Sequence, residues 1–127
     1  MTTLVTLPRL YLCGPMTGLP EFNYPAFTRA ANQLRGLGYT VFTPTENGLP
    51  QHAPWGMHMR RDIPQLVRCG GVAVLPGHEA SRGAQLELYI ATELGIPVAP
   101  VDTWMATIKY TPADAEPTYS PMTGEPL

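Results

Sequence analysis

Four short apolar runs, each followed by turn-forming residues, constrain the fold of this chain more than any other feature. They lie at residues 10–13, 39–42, 72–75 and 97–101. None alternates polar and apolar residues, which is typical of strands buried on both faces of a parallel sheet. Helical patterns separate them, at about 24–37, 57–68 and 82–94, and Pro64 is expected to kink or split the second helix. The alternation predicts an α/β fold, a doubly wound parallel sheet of four to five strands with helices on both faces.

The length and charge of the chain exclude several classes of protein. Its 127 residues suffice for one domain, which we place at 1–110, before a Pro-rich tail at 111–127. Eight basic and ten acidic residues give a net charge of −2, so no basic face is expected for duplex nucleic acid. The sequence shows neither an apolar run that could span a membrane nor a signal peptide. We expect a cytoplasmic protein without membrane partners.

The cysteines and histidines give no sign of a metal site. Cys13 and Cys69 lack metal-ligand spacing, and both are interpreted as buried free thiols. His52, His58 and His78 are interpreted as loop or surface residues. We therefore expect no metal and no other cofactor.

The loops that follow the strands are where a ligand should bind. In Rossmann-like or flavodoxin-like sheets, ligands bind at the carboxyl ends of the strands, where the strand order reverses. The loops concerned are 14–23, 44–56 and 76–82. The first begins Gly14-Pro15-Met16-Thr17-Gly18, which is not GxGxxG, and Pro15 removes an amide that a dinucleotide would use. No P-loop motif occurs either, so a NAD-type site and a P-loop site are both excluded.

Glu87 is the most informative residue of the third helix. At helical spacing it shares a face with Gly83, Ala84 and Ala91. A carboxylate among small side chains has little use as a solubilising group, and small neighbours let another group approach closely. The alternative interpretation is a partly exposed helix acid.

Ser81 and Arg82 stand at the start of the same helix. Ser81 is an expected N-cap, and the free amides behind it could also bind an anion. Six residues of helix place this anion site roughly 9 Å from Glu87, about the distance from a 5′-phosphate to the sugar C1′ region. The spacing suits a nucleotide.

Three further residues are candidates on weaker grounds. Asp62 opens the apolar stretch before the third strand, and either works in the crevice or pairs with a neighbouring arginine. Glu46 follows the second strand. Trp55 stands on the same loop and could stack a base.

Together, these segments resemble the nucleoside 2-deoxyribosyltransferase superfamily. The resemblance covers residues 9–101, and its most specific part is Ser81-Arg82-Gly83-Ala84 with Glu87. The closest likeness is to a small branch, common in phage genomes, without an assigned activity, so a host cytoplasm is implied if the chain is phage-encoded. The other matching strings are Leu10-Tyr11-Leu12-Cys13-Gly14-Pro15-Met16, Gly38-Tyr39-Thr40-Val41-Phe42-Thr43-Pro44-Thr45-Glu46, Asp62-Ile63, Leu75-Pro76-Gly77 and Gly95-Ile96-Pro97-Val98.

The resemblance implies a mechanism. The glutamate matching Glu87 is the nucleophile that forms a glycosyl-enzyme, the aspartate matching Asp62 assists departure of the base, and the tyrosine matching Tyr11 positions the nucleophile. Another base or water then accepts the sugar. The candidate substrate-binding residues are Gly14, Pro15, Met16, Thr17, Glu46, Trp55, Pro76, Gly77, Ser81, Arg82 and Gly83.

The choice between nucleoside and nucleotide depends on two positions. A serine at position 81 is typical of the 2′-deoxynucleoside 5′-monophosphate N-hydrolases, whereas the transferases acting on free nucleosides carry an aspartate there. Thr17 stands where those hydrolases have an arginine. Apart from these two positions, Gly71 replaces the acidic residue that the family usually has before the third strand. The sequence thus predicts cleavage or transfer at an N-glycosidic bond. The alternative is a non-catalytic nucleotide-binding or sensing module.

Self-association is also expected. The superfamily completes its sites across subunits, and residues 101–109, with Trp104, Met105 and Ile108, offer apolar surface. We predict a homodimer or a dimer of dimers. The alternative is that this segment packs onto its own sheet.

Overall fold

A computed structural model describes residues 7–109, in which strands and helices alternate along the chain. The strands are β1 (Arg9–Cys13), β2 (Thr40–Phe42), β3 (Gly71–Val74) and β4 (Val98–Pro100). The helices are α1 (Tyr24–Gly36), α2 (Trp55–Leu66), α3 (Arg82–Glu93) and α4 (Val101–Lys109). Three short 3₁₀ turns, Pro20–Asn23, Pro44–Glu46 and His78–Ala80, follow β1, β2 and β3. The predicted tail at 111–127 lies outside the described residues.

The four strands form one parallel sheet in the order β2-β1-β3-β4. Leu10 of β1 lies between Val41 on one side and Gly71 on the other. The chain therefore winds outward from β1 in both directions, and the strand order reverses between β1 and β3. The predicted doubly wound α/β sheet is confirmed, with four strands.

Successive residues of β1 point to opposite faces of the sheet. Leu10 and Leu12 belong to the apolar cluster formed with α1 and α4, whereas Tyr11 and Cys13 belong to the cluster formed with α3. All four side chains are fully buried, because β1 is a central strand covered on both faces. This alternation directs Tyr11 and Cys13 toward the helix that carries Glu87.

Helix α2 is not split at Pro64, which was one of the two outcomes expected there. The helix is one element from Trp55 to Leu66 and is not split into two pieces. Pro64 lies in the last turn, where its missing N–H removes a single bond near the helix end. Because the helix runs on through Ile63, Asp62 and Leu66 both lie on its buried face.

Helix α4 packs onto its own sheet, as the alternative interpretation had it. Trp104 is buried, and its indole N–H donates to the Val72 carbonyl at 2.9 Å. A Cβ at Gly71 would lie 2.7 Å from the Trp104 ring, so only glycine fits at this position. Met105 packs against the same apolar cluster. Self-association stays a prediction, and this segment no longer supports it.

None of the described helices is long and apolar enough to cross a membrane.

Candidate active site

A cleft of about 1140 Å³ opens at the carboxyl ends of the strands. The loops after β1, β2 and β3 and the start of α3 form its walls. Glu87 and Asp62 line the cleft, and the Tyr11 hydroxyl contacts Glu87 from β1. Every predicted substrate-binding residue except Glu46 is also in the lining. These residues are Gly14, Pro15, Met16, Thr17, Trp55, Pro76, Gly77, Ser81, Arg82 and Gly83.

Glu46 does not line the cleft. Its carboxylate pairs with the Arg35 guanidinium at 2.8 Å on the outer surface, and Arg35 also donates to the Val41 carbonyl. The pair ties the 3₁₀ turn after β2 to α1. Since this ion pair is exposed, it stabilises the fold by at most about 1 kcal/mol. In this structure Glu46 therefore connects two elements of the fold and has no contact with the predicted catalytic residues.

Glu87 is buried between two hydrogen-bond donors from β1. The Tyr11 hydroxyl donates to Oε2, and the Cys13 thiol lies 3.4 Å from Oε1. Only 5% of the Glu87 residue is exposed, and Ala84 and Ala91 flank it on the buried face of α3. The small neighbours predicted from the sequence thus give the carboxylate a place between the helix and β1.

Burial raises the pKa of Glu87 from 4.5 to about 7, because a carboxylate loses its hydration inside the protein. The hydrogen bonds from Tyr11 and Cys13 lower the pKa and oppose this effect, while the charge of Asp62 raises it. The pKa of Tyr11 is raised well above its usual value by burial and by Glu87. Tyr11 therefore remains a protonated donor at every physiological pH.

Asp62 is the second buried carboxyl group of the cleft. It is 3% exposed, and its Oδ1 accepts a hydrogen bond of 2.9 Å from the Asn47 amide. Burial raises its pKa to about 6, against the opposing effects of Asn47, His58 and Arg61. Glu87 and Asp62 therefore both titrate near neutral pH. Strongly perturbed carboxyl groups in a cleft are typical of catalytic sites.

The structure adds three residues that sequence reasoning did not assign to the site. Cys13, interpreted as a buried free thiol, is one and also contacts Glu87. Its place two residues after Tyr11 on a strand was a signal that the two share a face. His58 precedes Asp62 by one helical turn on α2, which was a similar signal. Asn47 had none, because it reaches Asp62 across 15 residues of chain.

The anion site predicted from the sequence would lie at the start of α3. Ser81 Oγ caps the helix by accepting from the Ala84 N–H at 3.2 Å. The Arg82 guanidinium lies over the Trp55 ring, 3.8 Å from its centroid. A Cβ at Gly83 would lie 3.3 Å from Trp55 Nε1, so glycine permits this close approach. Trp55 thus holds a cation at the mouth of the cleft, beside the helix N-terminus.

The part of the cleft wall that follows β1 has an unusual backbone. Glu21, Phe22 and Asn23 all have positive φ, at 53°, 52° and 62°. Three consecutive non-glycine residues in this region are strained, and such strain clusters at ligand sites. The Asn23 amide donates to the Pro15 carbonyl at 2.9 Å, which joins this turn to the loop after β1. Phe22 lines the cleft and is 37% exposed.

No metal site accompanies these groups in the described part of the chain. Within residues 7–109, no cluster of three or more His, Cys, Asp or Glu side chains has a geometry that could hold an ion. The groups in the cleft that could take part in a reaction are therefore two carboxyl groups with raised pKa values, a tyrosine hydroxyl, an arginine and the N-terminus of α3.

A protein of known structure is similar to this chain. The 2-deoxyribosyltransferase of the psychrotolerant bacterium Bacillus psychrosaccharolyticus is similar in structure, with a TM-score of 0.58 and 27% sequence identity over 71% of this chain and 69% of that one. This likeness supports the resemblance to the nucleoside 2-deoxyribosyltransferase superfamily. No protein with a curated description matches the chain. Residues 8–100 match one family throughout, and the chain belongs to that family, described as Domain of unknown function (DUF4406).

Proposed function

We propose that the protein cleaves or transfers at the N-glycosidic bond of a deoxynucleoside or its 5′-monophosphate, with Glu87 as nucleophile. One observation carries the proposal. The buried Glu87 carboxyl group, which accepts hydrogen bonds from Tyr11 and Cys13, lines the same cleft as the buried carboxyl group of Asp62. Burial of two acids without an ion pair destabilises a fold, so a structural role does not explain them. The likeness to a 2-deoxyribosyltransferase supports the same reaction class.

The proposed reaction begins with attack by Glu87 on C1′. Oε2 is held by the Tyr11 hydroxyl, whereas Oε1 has only a weak thiol donor, so Oε1 is the freer oxygen for attack. As the Oε1–C1′ bond forms, the C1′–N bond breaks and its electron pair passes to the base. Asp62 gives that base nitrogen a proton. A second base or water then attacks C1′, returns a proton to Asp62 and releases Glu87.

A 5′-monophosphate is the substrate form that we favour. The N-terminus of α3 attracts anions, and Arg82 lies beside it on Trp55. Ser81 uses its oxygen as an acceptor for the helix cap, so its hydroxyl proton is free to bond a phosphate. Arg82 would take the place of the arginine that the hydrolases have at the position of Thr17. Since Arg82 covers one face of Trp55, stacking of a base on that face requires Arg82 to move.

The direct test is a panel of deoxynucleosides and deoxynucleoside 5′-monophosphates, with released base measured by chromatography. Turnover should have a bell-shaped pH dependence with its maximum between about pH 6 and pH 7. Below this range both carboxyl groups are protonated and the nucleophile is lost. Above it both are ionised and the proton donor is lost. Absence of base release or exchange from the whole panel would contradict an enzymatic function.

The second candidate is a nucleotide-binding module without turnover. The Arg82–Trp55 pair at the helix N-terminus favours it as much as the enzyme, since neither residue takes part in the chemistry. Calorimetry separates the two functions. A binding module would hold a monophosphate with equal affinity in wild type and Glu87→Gln, and would release no base from it.

A further inference from the structure

Asn47 is a buried asparagine whose polar groups all have protein partners. Its side-chain Oδ1 accepts from the Leu49 N–H at 2.9 Å. Its Nδ2 lies 2.9 Å from Asp62 Oδ1 and 3.0 Å from His58 Nδ1. Its carbonyl accepts from the Arg61 guanidinium at 2.9 Å. Because Oδ1 faces an N–H donor, the orientation of the amide is fixed, and both Nδ2 hydrogens point at acceptors.

This arrangement defines the tautomer of His58. Nδ1 accepts a hydrogen from Asn47, so the ring proton is on Nε2, which lies 3.1 Å from the Pro50 carbonyl and donates to it. A doubly protonated His58 would present an N–H to the Asn47 N–H₂ group and would lose that bond.

The same arrangement distinguishes the two oxygens of Asp62. Oδ1 is occupied by the Asn47 donor, and Oδ2 has no hydrogen-bond partner within residues 7–109. A proton on Oδ1 would meet the Asn47 N–H, whereas a proton on Oδ2 meets no such donor. Asp62 itself lines the cleft.

We propose that Asn47 is a positioning residue, which shares its amide between His58 Nδ1 and Asp62 Oδ1 and thereby keeps the acidic proton of Asp62 on Oδ2, the oxygen available to the leaving base. The inference rests on the proposed function and deepens it. The step served is transfer of that proton from Oδ2 to the base nitrogen, as the C1′–N electron pair passes to the base. The other ionisable groups around Asp62 come from four elements and are His58, Arg61, Tyr11, Tyr24 and Glu87.

Nuclear magnetic resonance tests the arrangement directly. The chain has three aspartates and three histidines, so ¹³C-labelled Asp62 and ¹⁵N-labelled His58 are readily assigned. In wild type, we expect the Nε2–H tautomer of His58. In Asn47→Leu, the His58 tautomers should mix, and the titration midpoint of Asp62 should rise by about one pH unit or more, because the ionised form has lost its donor. Asn32→Leu makes the same change at an exposed asparagine of α1 and should alter neither signal.

Kinetics tests the role of the arrangement. Asn47→Leu should slow substrates with poor leaving bases by roughly ten- to a hundred-fold, and leave activated ones nearly unchanged, with little effect on KM. A purely structural role would slow both substrates equally. Asn47→Asp keeps the shape of the side chain and covers the case in which the leucine variant fails to fold. It should raise the Asp62 midpoint further and place a proton on His58 Nδ1.

The outcomes separate this inference from the proposed function. If wild type turns over no substrate, the proposed function fails, while the tautomer and the midpoint still test Asn47. If both Asn47 variants keep the wild-type tautomer and midpoint, Asn47 does not position Asp62 and the inference is overturned. Equal loss of rate for good and poor leaving bases would overturn it as well.

Discussion

The two faces of β1 pack against different kinds of side chain. On the side of α1 and α4, Leu10 and Leu12 of β1 lie in an apolar cluster with Phe27, Leu34 and Trp104. On the side of α2 and α3, Tyr11 and Cys13 reach a buried glutamate, and a buried aspartate lies beside them. The first face lowers the free energy of the fold by burying apolar area. The second carries buried acids that cost stability, which is typical of a functional site.

The largest expected effect is the loss of turnover in Glu87→Gln. The amide keeps the shape of the side chain but cannot form a glycosyl-enzyme, so the rate should fall by roughly 10³- to 10⁶-fold. Released base, measured by chromatography, checks the prediction. Glu93→Gln changes an exposed acid of the same helix and should keep full activity. Near-normal turnover by Glu87→Gln would show that the second face has no nucleophile at this position.

Asp62→Asn should have the next largest effect. Loss of a general acid costs roughly 10²- to 10⁴-fold, and the loss should be greatest for bases that leave poorly without a proton. Rates for activated and ordinary leaving bases measure this difference. An equal loss for both would mean that Asp62 orients the substrate and does not protonate the base.

Stability should change in opposite directions on the two faces. Leu34→Ala, on the α1 face, should cost about 2–5 kcal/mol at every pH, because it leaves a cavity in an apolar cluster. Glu87 binds its proton more tightly in the folded state, so its stabilising effect is complete below pH 4.5 and is lost as the pH rises to about 7. Glu87→Gln should therefore gain up to about 3 kcal/mol over wild type at pH 8 and little at pH 4.

Urea unfolding at the two pH values measures these differences. Glu93→Gln serves as the control and should follow wild type at both pH values. If Glu87→Gln gains no stability at high pH relative to low pH, Glu87 does not carry a raised pKa in the folded protein, and the contrast between the two faces is weaker than proposed.

The anion site should show a smaller effect, confined to phosphorylated ligands. Ser81→Ala and Arg82→Ala should each weaken binding of a 5′-monophosphate by roughly ten- to a hundred-fold, and leave free nucleosides nearly unaffected. The Arg82 variant should have the weaker salt dependence, because its charge is gone. Calorimetry on matched pairs of ligands gives the comparison. A free deoxynucleoside that binds wild type as tightly as its monophosphate would favour the transferase function.

The smallest expected effect concerns the thiol next to Glu87. Cys13→Ala removes a hydrogen bond that lowers the pKa of Glu87, so the maximum of the pH–rate profile should move to higher pH. Cys13→Ser supplies a stronger donor and should move it to lower pH. The matched control is Cys69→Ser, since Cys69 donates to the Gln65 carbonyl away from Glu87. Identical pH profiles for all three variants would show that the Cys13 contact has no effect on Glu87.

Local patterns were sufficient to predict the sheet and the loops that form the cleft. Strands buried on both faces leave uninterrupted apolar runs, and a strand followed by a glycine-rich loop marks a carboxyl edge, so most of the cleft lining was predictable. Glu87 was predictable from the small residues around it. Glu46 was not, because its pairing with Arg35 depends on where α1 passes the turn after β2.

Sequence by itself determined the parallel α/β sheet, the position of the candidate cleft and the face of α3 that carries Glu87, because each of these follows from spacing along a strand or a helix. Asp62 became a candidate through the family resemblance. Only the tertiary structure decided the chemical state of the two carboxyl groups. The donation from Tyr11 to Glu87 spans 76 residues, that from Cys13 spans 74, and that from Asn47 to Asp62 spans 15. A pKa depends on burial and on neighbours in space, and those are fixed only when strand, helix and loop pack together.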